Sequence, residues 1–368
     1  MGGGVVSMSD THGGNLYQAA REQGCHPSNL VDFSASINPL GPSLSVLRVL
    51  RRGLWAIRHY PDPQAHELVS ALSRRSGLSP SCYLVGNGSA ELLYLLPMAL
   101  AIKNALIIGP TFSEYKTAIG RAGGISTYVM ADRAAEYRPP IERTRDQIRT
   151  ARAPYDAVVL CNPNSPTGQP VAKHDLLRFI DAVAERSPWV IIDESFIEFA
   201  PEYSLLRELP TYPRLLILRS FTKFYGIPGL RIGYLIGQPE VVEHVRRWQP
   251  PWSVNALAQA AALAALRDSG HRRKSLALVS EERTKLSAAL SAIDGMRVFP
   301  SAANFLLVEL PAPLLASDVI TQLRNSALLV RDCSTVPGLT PQSIRMAIKT
   351  PRENNRLIRS LEALLQRS

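Results

Sequence analysis

A lysine and an arginine stand eight residues apart in segment 220–234, which runs from one apolar, strand-like stretch into another. A lysine held by small and hydroxyl residues at a strand end can be desolvated, which lowers its pKa and suits it to form an imine. Lys223 is therefore a candidate for carbonyl chemistry, and Arg231 is a candidate ligand for a phosphate dianion. On their own, both residues could equally belong to an exposed loop.

Two further polar segments follow apolar stretches upstream. Asp193 ends the run 190–193, thirty residues before Lys223. A carboxylate at a strand end can lie under a pyridine nitrogen and keep it protonated, which makes the ring an electron sink. A helix cap or a metal ligand is also compatible with this position. The turn 161–168 could reach an oxygen of the same ring, or it could be an ordinary turn of proline and glycine.

Together these three segments resemble the signature of the fold-type I pyridoxal-phosphate enzymes. Those enzymes carry an N-P-x-N-P-T-G turn, a D-E strand end and an S-x-x-K-x-x-x-x-x-G-x-R segment, in this order and at about these separations. The resemblance to their histidinol-phosphate aminotransferase branch covers nearly the whole chain. It implies pyridoxal 5'-phosphate as the cofactor, with Lys223 bonded to its aldehyde, Asp193 at its ring nitrogen and Arg231 at its phosphate.

The same resemblance assigns further residues to the cofactor. Gly88, Ser89 and Ala90 would open a helix whose free N–H groups suit a phosphate, although alone they read as a glycine turn with a helix cap. Tyr115 would stack on the pyridine ring; its plain alternative is a core tyrosine. Tyr60 would reach the phosphate of a neighbouring subunit, so a homodimer with sites completed across a two-fold interface is expected. The remaining expected cofactor contacts are Asn164, Ser165, Ser220 and Thr222.

Two positions depart from the family pattern. Ser165 stands where the family usually has asparagine before Pro-Thr-Gly, and its shorter side chain leaves Asn164 or a water to reach the phenolic oxygen of the cofactor. Phe196 stands where many aminotransferases have a tyrosine, which removes one hydrogen bond to that oxygen. Neither change alters the expected cofactor.

The amino-terminal region separates the branches of the family. The sequence T-H-G-G-N at 11–15, the sequence D-F-S-A-S-I-N-P-L-G-P at 32–42 and Pro-Gly at 228–229 resemble the threonine-phosphate decarboxylases of cobalamin biosynthesis. This resemblance implies a lyase that acts on O-phospho-L-threonine, a small phosphorylated amino acid. Bidentate arginine suits both anionic groups of such a substrate. The resemblance places His12, Asn38, Arg331 and Arg345 around it, whereas His12 alone reads as a solvated arm residue and the arginines as surface ion pairs.

Two other functions stay open at this stage. A histidinol-phosphate or aromatic aminotransferase would share every cofactor residue, because decarboxylation and transamination differ in which bond of Cα stands perpendicular to the ring. A non-catalytic regulator that binds the cofactor, or a basic nucleic-acid-binding module, is a more remote alternative.

Alternating helix and strand patterns from about residue 64 to 245 predict the scaffold of these residues. They indicate an α/β domain with a mostly parallel sheet, whose ligands bind beyond the carboxyl ends of the strands. The predicted strands are 105–108, 125–130, 157–161, 190–193, 215–219 and 232–236. The pattern breaks at 248–252, and a smaller α+β domain follows. We therefore expect an arm at 1–44 that joins the small domain, a large cofactor-binding domain at 45–248 and a small domain at 249–368.

Composition narrows the setting of the protein. The 368 residues carry a net charge of +10, but the arginines are scattered, so no nucleic-acid partner is expected. The four cysteines form no C-x-x-C pair, which indicates neither a metal site nor a disulfide framework and favours a reducing compartment. Neither a membrane span nor a signal peptide is indicated, so we expect a cytoplasmic protein without a membrane partner.

Overall fold

A computed structural model describes residues 13–186 and 188–365 of the chain. Its strands are, in chain order, β1 (Val31–Asp32), β2 (Tyr83–Gly86), β3 (Asn104–Gly109), β4 (Ile125–Met130), β5 (Ala157–Cys161), β6 (Trp189–Asp193), β7 (Leu215–Ser220), β8 (Gly233–Ile236), β9 (Arg297–Val298), β10 (Phe305–Glu309), β11 (Leu328–Leu329), β12 (Arg331–Asp332) and β13 (Ser343–Ala347). Its α-helices are α1 (Leu16–Glu22), α2 (Leu44–Gly53), α3 (His66–Ser76), α4 (Gly88–Ala99), α5 (Glu114–Arg121), α6 (Ile141–Thr150), α7 (Lys173–Val183), α8 (Pro239–Arg246), α9 (Ala256–Arg267), α10 (Ser269–Ser291), α11 (Ala316–Asn325) and α12 (Pro351–Leu365).

The large domain is built on a seven-stranded sheet in the order β2-β8-β7-β6-β5-β3-β4. Strands β3 to β7 run parallel, and β8 is antiparallel to both of its neighbours. Side chains alternate between two buried clusters, so that Val158 and Leu160 pack on one face while Val159 and Cys161 pack on the other. Helices cover both faces, which is why these strands read as continuous apolar runs.

A four-stranded antiparallel sheet in the order β12-β13-β10-β9 forms the centre of the small domain. Its core includes side chains from α10, α11 and α12. The described part of the amino-terminal arm packs here, because β1 pairs in parallel with β11 and Phe33 is fully buried in the same core. The described part of the arm therefore belongs structurally to the small domain.

Helix α9 belongs with the large sheet in its packing, which differs from the predicted division at residue 248. It contacts α2 and α3, and Ala258, Ala261 and Ala262 are buried in the cluster that covers one face of that sheet. Small alanine side chains let the helices approach closely, a feature that the helical pattern alone does not show. Within residues 13–186 and 188–365, the helices lack the length and apolar character needed to cross a bilayer.

Candidate active site

Three neighbouring strands of the large sheet end at one cavity of about 660 Å³. Cys161 ends β5, Asp193 ends β6 and Lys223 lies three residues beyond β7, and all three line this cavity. Parallel strands bring their carboxyl ends to one edge of the sheet, which is the usual place for a ligand in such a fold. The volume suits a small-molecule site.

Lys223 points its amine into this cavity above an aromatic ring. Its Nζ lies 5.4 Å from the centroid of the Phe196 ring. Burial lowers the pKa of the Lys223 amine, although Asp193 and the Cys161 thiol act in the opposite direction. A larger fraction of the amine is therefore neutral at a given pH, and the neutral amine is the form that attacks an aldehyde.

The Asp193 carboxylate is buried and held by two hydrogen bonds. The Tyr115 hydroxyl donates to Oδ2 at 2.8 Å, and the backbone N–H of Ser195 donates to Oδ1 at 2.8 Å. Burial, followed by the charge of Asp193, raises the pKa of Tyr115 well above its ordinary value, so the hydroxyl keeps its proton. The carboxylate has lone pairs left to accept a hydrogen bond from a protonated ring nitrogen.

The start of helix α4 and Arg231 form a cradle at the same cavity. Gly88 has a φ of +77°, and a Cβ added there would lie 2.6 Å from Nη2 of Arg231. Only glycine therefore lets the guanidinium approach the first turn of the helix, where N–H groups lack intrahelical partners. Ser89, Ala90 and Thr222 also line the cavity. A guanidinium beside a helix N-terminus suits a phosphate.

These features fit a phosphorylated pyridine aldehyde. The amine of Lys223 would meet the aldehyde, the carboxylate of Asp193 would meet the ring nitrogen, and the cradle at Gly88 and Arg231 would meet the phosphate. Each of the three chemical groups of pyridoxal 5'-phosphate thus has a matching group on this chain.

Two further arginines line the cavity from the small domain. Arg345 donates to the Ser165 hydroxyl at 2.9 Å and to the Ser34 carbonyl at 2.8 Å, while its buried Nε has no hydrogen-bond partner. Burial lowers the pKa of the Arg345 guanidinium to about 10, so the group stays charged at neutral pH. Arg331 also lines the cavity, and burial lowers its pKa. A buried guanidinium that bonds only neutral oxygen atoms is suited to an incoming anion.

The structure brings most of the predicted site residues to this cavity. The predicted residues that line it are Ser89, Ala90, Tyr115, Ser165, Asp193, Thr222, Lys223, Arg231, Arg331 and Arg345. Gly88 belongs to the cradle, and Ser220 lies behind it with its hydroxyl accepting a hydrogen bond from the Thr222 N–H at 3.1 Å. His12 lies outside the described residues.

Two predicted asparagines have other roles. The Asn38 amide donates to the Phe224 carbonyl and to the Ser275 hydroxyl, both at 2.7 Å, so Asn38 does not line the substrate pocket as predicted. Its own N–H donates to the carbonyl of Lys223 at 2.9 Å. The Asn164 amide is likewise engaged, since it donates to the Pro110 carbonyl and the Thr167 hydroxyl and accepts from the Thr111 hydroxyl, so it does not replace the asparagine missing at Ser165. In both cases contacts distant in sequence fix where the amide points.

Several cavity residues were missed from the sequence. Ser34 accepts a hydrogen bond from the Gly14 N–H through its hydroxyl, besides receiving Arg345 at its carbonyl. Asp32 organises this part of the arm by accepting from the N–H and the hydroxyl of Ser34. Both lie in the motif at 32–42, so the motif marked the segment without showing which of its side chains face the ligand.

Tyr60 lies on the surface of the described chain, with 79% of its area exposed. Its ring stacks on Trp252 at 4.6 Å between centroids, and Trp55 and Ile57 are exposed nearby in sequence. An exposed apolar patch of this kind is typical of an interaction surface.

Known proteins share this architecture over most of the chain. The family Aminotransferase class I and II matches residues 28–361. The threonine-phosphate decarboxylase of Salmonella typhimurium is 36% identical over 98% of this chain and 98% of its own length. The histidinol-phosphate aminotransferase of an Anaeromyxobacter species is 34% identical over 95% of this chain and 94% of its own length. The crystal structure of L-threonine-O-3-phosphate decarboxylase from Porphyromonas gingivalis superposes with a TM-score of 0.80 at 28% identity, over 91% of this chain and 99% of that chain.

These matches confirm the predicted fold class, a fold-type I architecture with a mostly parallel sheet. They also confirm the predicted cofactor and the resemblance to threonine-phosphate decarboxylases. The chain belongs to the aminotransferase class I and II family, as an enzyme that uses pyridoxal 5'-phosphate and is similar to the threonine-phosphate decarboxylases.

Proposed function

We propose that the protein decarboxylates O-phospho-L-threonine to (R)-1-aminopropan-2-yl phosphate and CO2, as a step of cobalamin biosynthesis in the cytoplasm. The observation that carries this proposal is the composition of the cavity wall. Gly13, Gly14, Asp32 and Ser34 line the cavity, and they belong to the arm segments that resemble the decarboxylases. The four unpaired cysteines support a reducing compartment.

Two anionic groups of the substrate meet two arginines of the small domain. We assign Arg331 and Arg345 jointly to the two anionic groups of the substrate, its phosphate and its carboxylate, because both residues line the cavity beside Lys223. Holding both ends of the substrate fixes its rotation, so the bond from Cα to the carboxylate can be kept perpendicular to the cofactor ring. The cofactor, when bound, supplies an electron sink for the pair of electrons left at Cα as CO2 departs.

Proton transfers fall to Lys223 and Asp193. The Asp193 carboxylate is fixed by Tyr115 and the Ser195 N–H, and it would hold the proton on the ring nitrogen of the cofactor. Lys223 would hold the cofactor at its aldehyde carbon in the resting enzyme, and during turnover its free amine would deliver a proton to Cα. The carbon thus exchanges a carboxylate for a hydrogen, and the phosphate stays on the product.

A homodimer is part of the proposal. Tyr60 and Trp252 place an exposed aromatic patch on the surface, which we assign to the interface with a second copy. Across it, the Tyr60 hydroxyl completes the phosphate cradle of the other subunit. Mixing Tyr60→Phe subunits with Lys223→Ala subunits tests this arrangement, because a hybrid dimer regains one intact site. Activity that does not rise above that of the unmixed variants rejects shared sites.

The rival function is amino transfer from histidinol phosphate, which the 34% identical aminotransferase supports. Purified holoenzyme is incubated with O-phospho-L-threonine in the absence of any keto acid, and CO2 and the amine product are measured. Equal amounts of both establish the decarboxylase. Product only from histidinol phosphate with 2-oxoglutarate, in a parallel tube, makes the protein an aminotransferase, and no turnover in either tube leaves the non-catalytic alternative.

A further inference from the structure

One buried carboxylate outside the active-site cavity collects three guanidinium groups. Glu198 lies five residues beyond Asp193 and accepts hydrogen bonds at Oε2 from Arg75, at 3.2 Å, and from Arg272. Arg219 approaches Oε1 at 3.7 Å. The three arginines come from α3, α10 and β7, so a single side chain joins three separate elements.

The charge balance makes this group of residues sensitive to the loss of Glu198. Burial by itself would raise the pKa of Glu198, but Arg75, Arg219 and Arg272 outweigh it, so the pKa is lowered and the carboxylate is charged. Arg219 has a second partner in Glu194, with its Nη2 2.7 Å from Oε2. Removing the charge of Glu198 leaves Arg75 and Arg272 partly buried without that countercharge, which is costly.

The arginines reach from Glu198 to the two residues that follow Lys223. Arg75 donates to the Tyr225 hydroxyl at 3.1 Å, and the guanidinium of Arg272 lies 5.4 Å from the centroid of the Phe224 ring. Arg219 is in β7, four residues before Lys223. The segment that carries the lysine is therefore clamped on both sides by cations that share one carboxylate.

Glu198 does not itself touch the cofactor cavity. It lines a separate cavity of about 400 Å³, to which Glu202 also contributes. Any effect of Glu198 on the chemistry is therefore indirect.

We propose that Glu198 is a positioning residue, which keeps Lys223 buried at the cavity by fixing Arg75 and Arg272 against Tyr225 and Phe224. This inference rests on the role assigned to Lys223 under the proposed function. Without the clamp, the segment relaxes, water reaches the amine, and the pKa of Lys223 rises toward its ordinary value. Less neutral amine is then present to bond the cofactor at neutral pH.

The test compares Glu198→Gln with Glu202→Gln, which removes the same charge from the same cavity. Apoenzyme is mixed with pyridoxal 5'-phosphate, and the rate of the absorbance change on capture is measured against pH. For Glu198→Gln we expect the midpoint of this profile to move up by about one unit and capture near pH 7 to slow about tenfold. For Glu202→Gln we expect the wild-type profile.

A second variant covers the case in which Glu198→Gln does not fold. Tyr225→Phe removes only the hydroxyl that Arg75 contacts, and we expect a smaller shift of the midpoint in the same direction. Where both variants fold, Tyr225→Phe should add less in the Glu198→Gln background than alone, since the two act through one network. The inference is overturned if both variants keep the wild-type midpoint of the capture profile. It is also overturned if Glu198→Gln does not fold and Tyr225→Phe keeps the wild-type midpoint.

A separate measurement keeps this inference distinct from the proposed function. Holoenzyme is reduced with borohydride, which traps the bond between lysine and cofactor, and the labelled peptide is identified by mass spectrometry. A label on another lysine rejects the role of Lys223 itself. A label on Lys223 with unchanged pH profiles in the variants rejects only the role of Glu198.

Discussion

The two walls of the active-site cavity are built differently. On the wall from the large domain, polar groups already have partners: the oxygens of Asp193 accept from Tyr115 and Ser195, and Arg231 lies against Gly88. On the wall from the arm and the small domain, Arg345 is buried with an Nε that lacks a hydrogen-bond partner. Side chains of the first wall are held by one another, whereas the second wall leaves a buried donor for the anion of the proposed substrate.

This difference suggests a division of roles: the large-domain wall serves the cofactor that the family shares, and the wall from the arm and the small domain serves the substrate that distinguishes its members. Strand ends of a buried sheet hold side chains rigidly, which suits a cofactor whose reaction needs a fixed ring and a fixed proton. Residues of the arm and of the small domain can be substituted during evolution without disturbing that sheet. Decarboxylases and aminotransferases can therefore keep one wall and differ in the other.

Replacing Lys223 by alanine breaks the large-domain wall at its reactive group and should have the largest effect. We expect the absorbance band of the lysine-bound cofactor to disappear and decarboxylation to fall by about 10⁴-fold or more. Lys285→Ala, on an exposed part of α10, is the matched control and should behave as wild type. Retention of the band in Lys223→Ala would falsify the assignment of the lysine.

Replacing Arg345 by glutamine breaks the other wall alone. Because the guanidinium is buried and faces the substrate, we expect kcat/KM for O-phospho-L-threonine to fall by about 10²- to 10³-fold. The cofactor band and the affinity for the cofactor should stay as in wild type. The control variant Arg359→Gln, on the exposed face of α12, should leave both kcat/KM and cofactor binding unchanged. Loss of cofactor together with activity would contradict a division of labour between the walls.

Acid should weaken the support behind the large-domain wall. The folded pKa of Glu198 lies below its ordinary value of 4.5, so its contribution to the free energy of unfolding is complete above that pH. The contribution is lost as the pH falls through the folded pKa, with an expected loss of about 1 kcal/mol or more. Urea unfolding between pH 7 and pH 3 measures this loss, which should be absent in Glu198→Gln and present in Glu202→Gln.

Phe196→Tyr should give the smallest effect, because it adds a single hydroxyl to the large-domain wall. Phe196 lies beneath the amine of Lys223, where a hydroxyl can donate to the phenolic oxygen of the cofactor. Stabilising the negative charge on that oxygen favours loss of the neighbouring imine proton. The pH midpoint of the cofactor band should therefore fall by less than about one unit, as for one hydrogen bond. An upward shift would show that the tyrosine hydroxyl points elsewhere.

The sequence predicted the strands that carry the chemistry more accurately than the elements around them. Strands β4 and β5 have the predicted bounds: β5 is a fully buried apolar run, whereas the half-exposed edge strand β4 is marked by its β-branched and aromatic residues. Strand β2, which has four residues and leads directly into the glycine turn at 86–88, was not among the predicted strands, and the mostly polar α6 buries only Ile141, Thr144 and Ile148. Short or mostly polar elements depend on tertiary contacts that no local pattern records.

Within the site, motif positions located the residues but not the directions of their side chains. Asp193 ends β6, Lys223 lies three residues beyond β7 and Arg231 lies two residues before β8, and all three line the cavity. Asn38 and Asn164 lie in segments of the same motifs, yet contacts with the backbone of Phe224 and Pro110 turn their amides away. Such contacts join residues far apart in the chain, so they follow only from the folded structure.

The contacts of Asn38 have a consequence for how such enzymes can be recombined. Its backbone N–H donates to the Lys223 carbonyl and its side-chain amide donates to the Phe224 carbonyl, and we call these two hydrogen bonds the clasp. Residues a few positions earlier form the wall for the substrate. An arm transplanted from a relative with another specificity would thus bring its own clasp for the lysine along with its new wall. A graft that joins the chains before Asn38 and keeps this asparagine leaves the clasp native, and residue 38 is therefore the natural crossover point for chimeras.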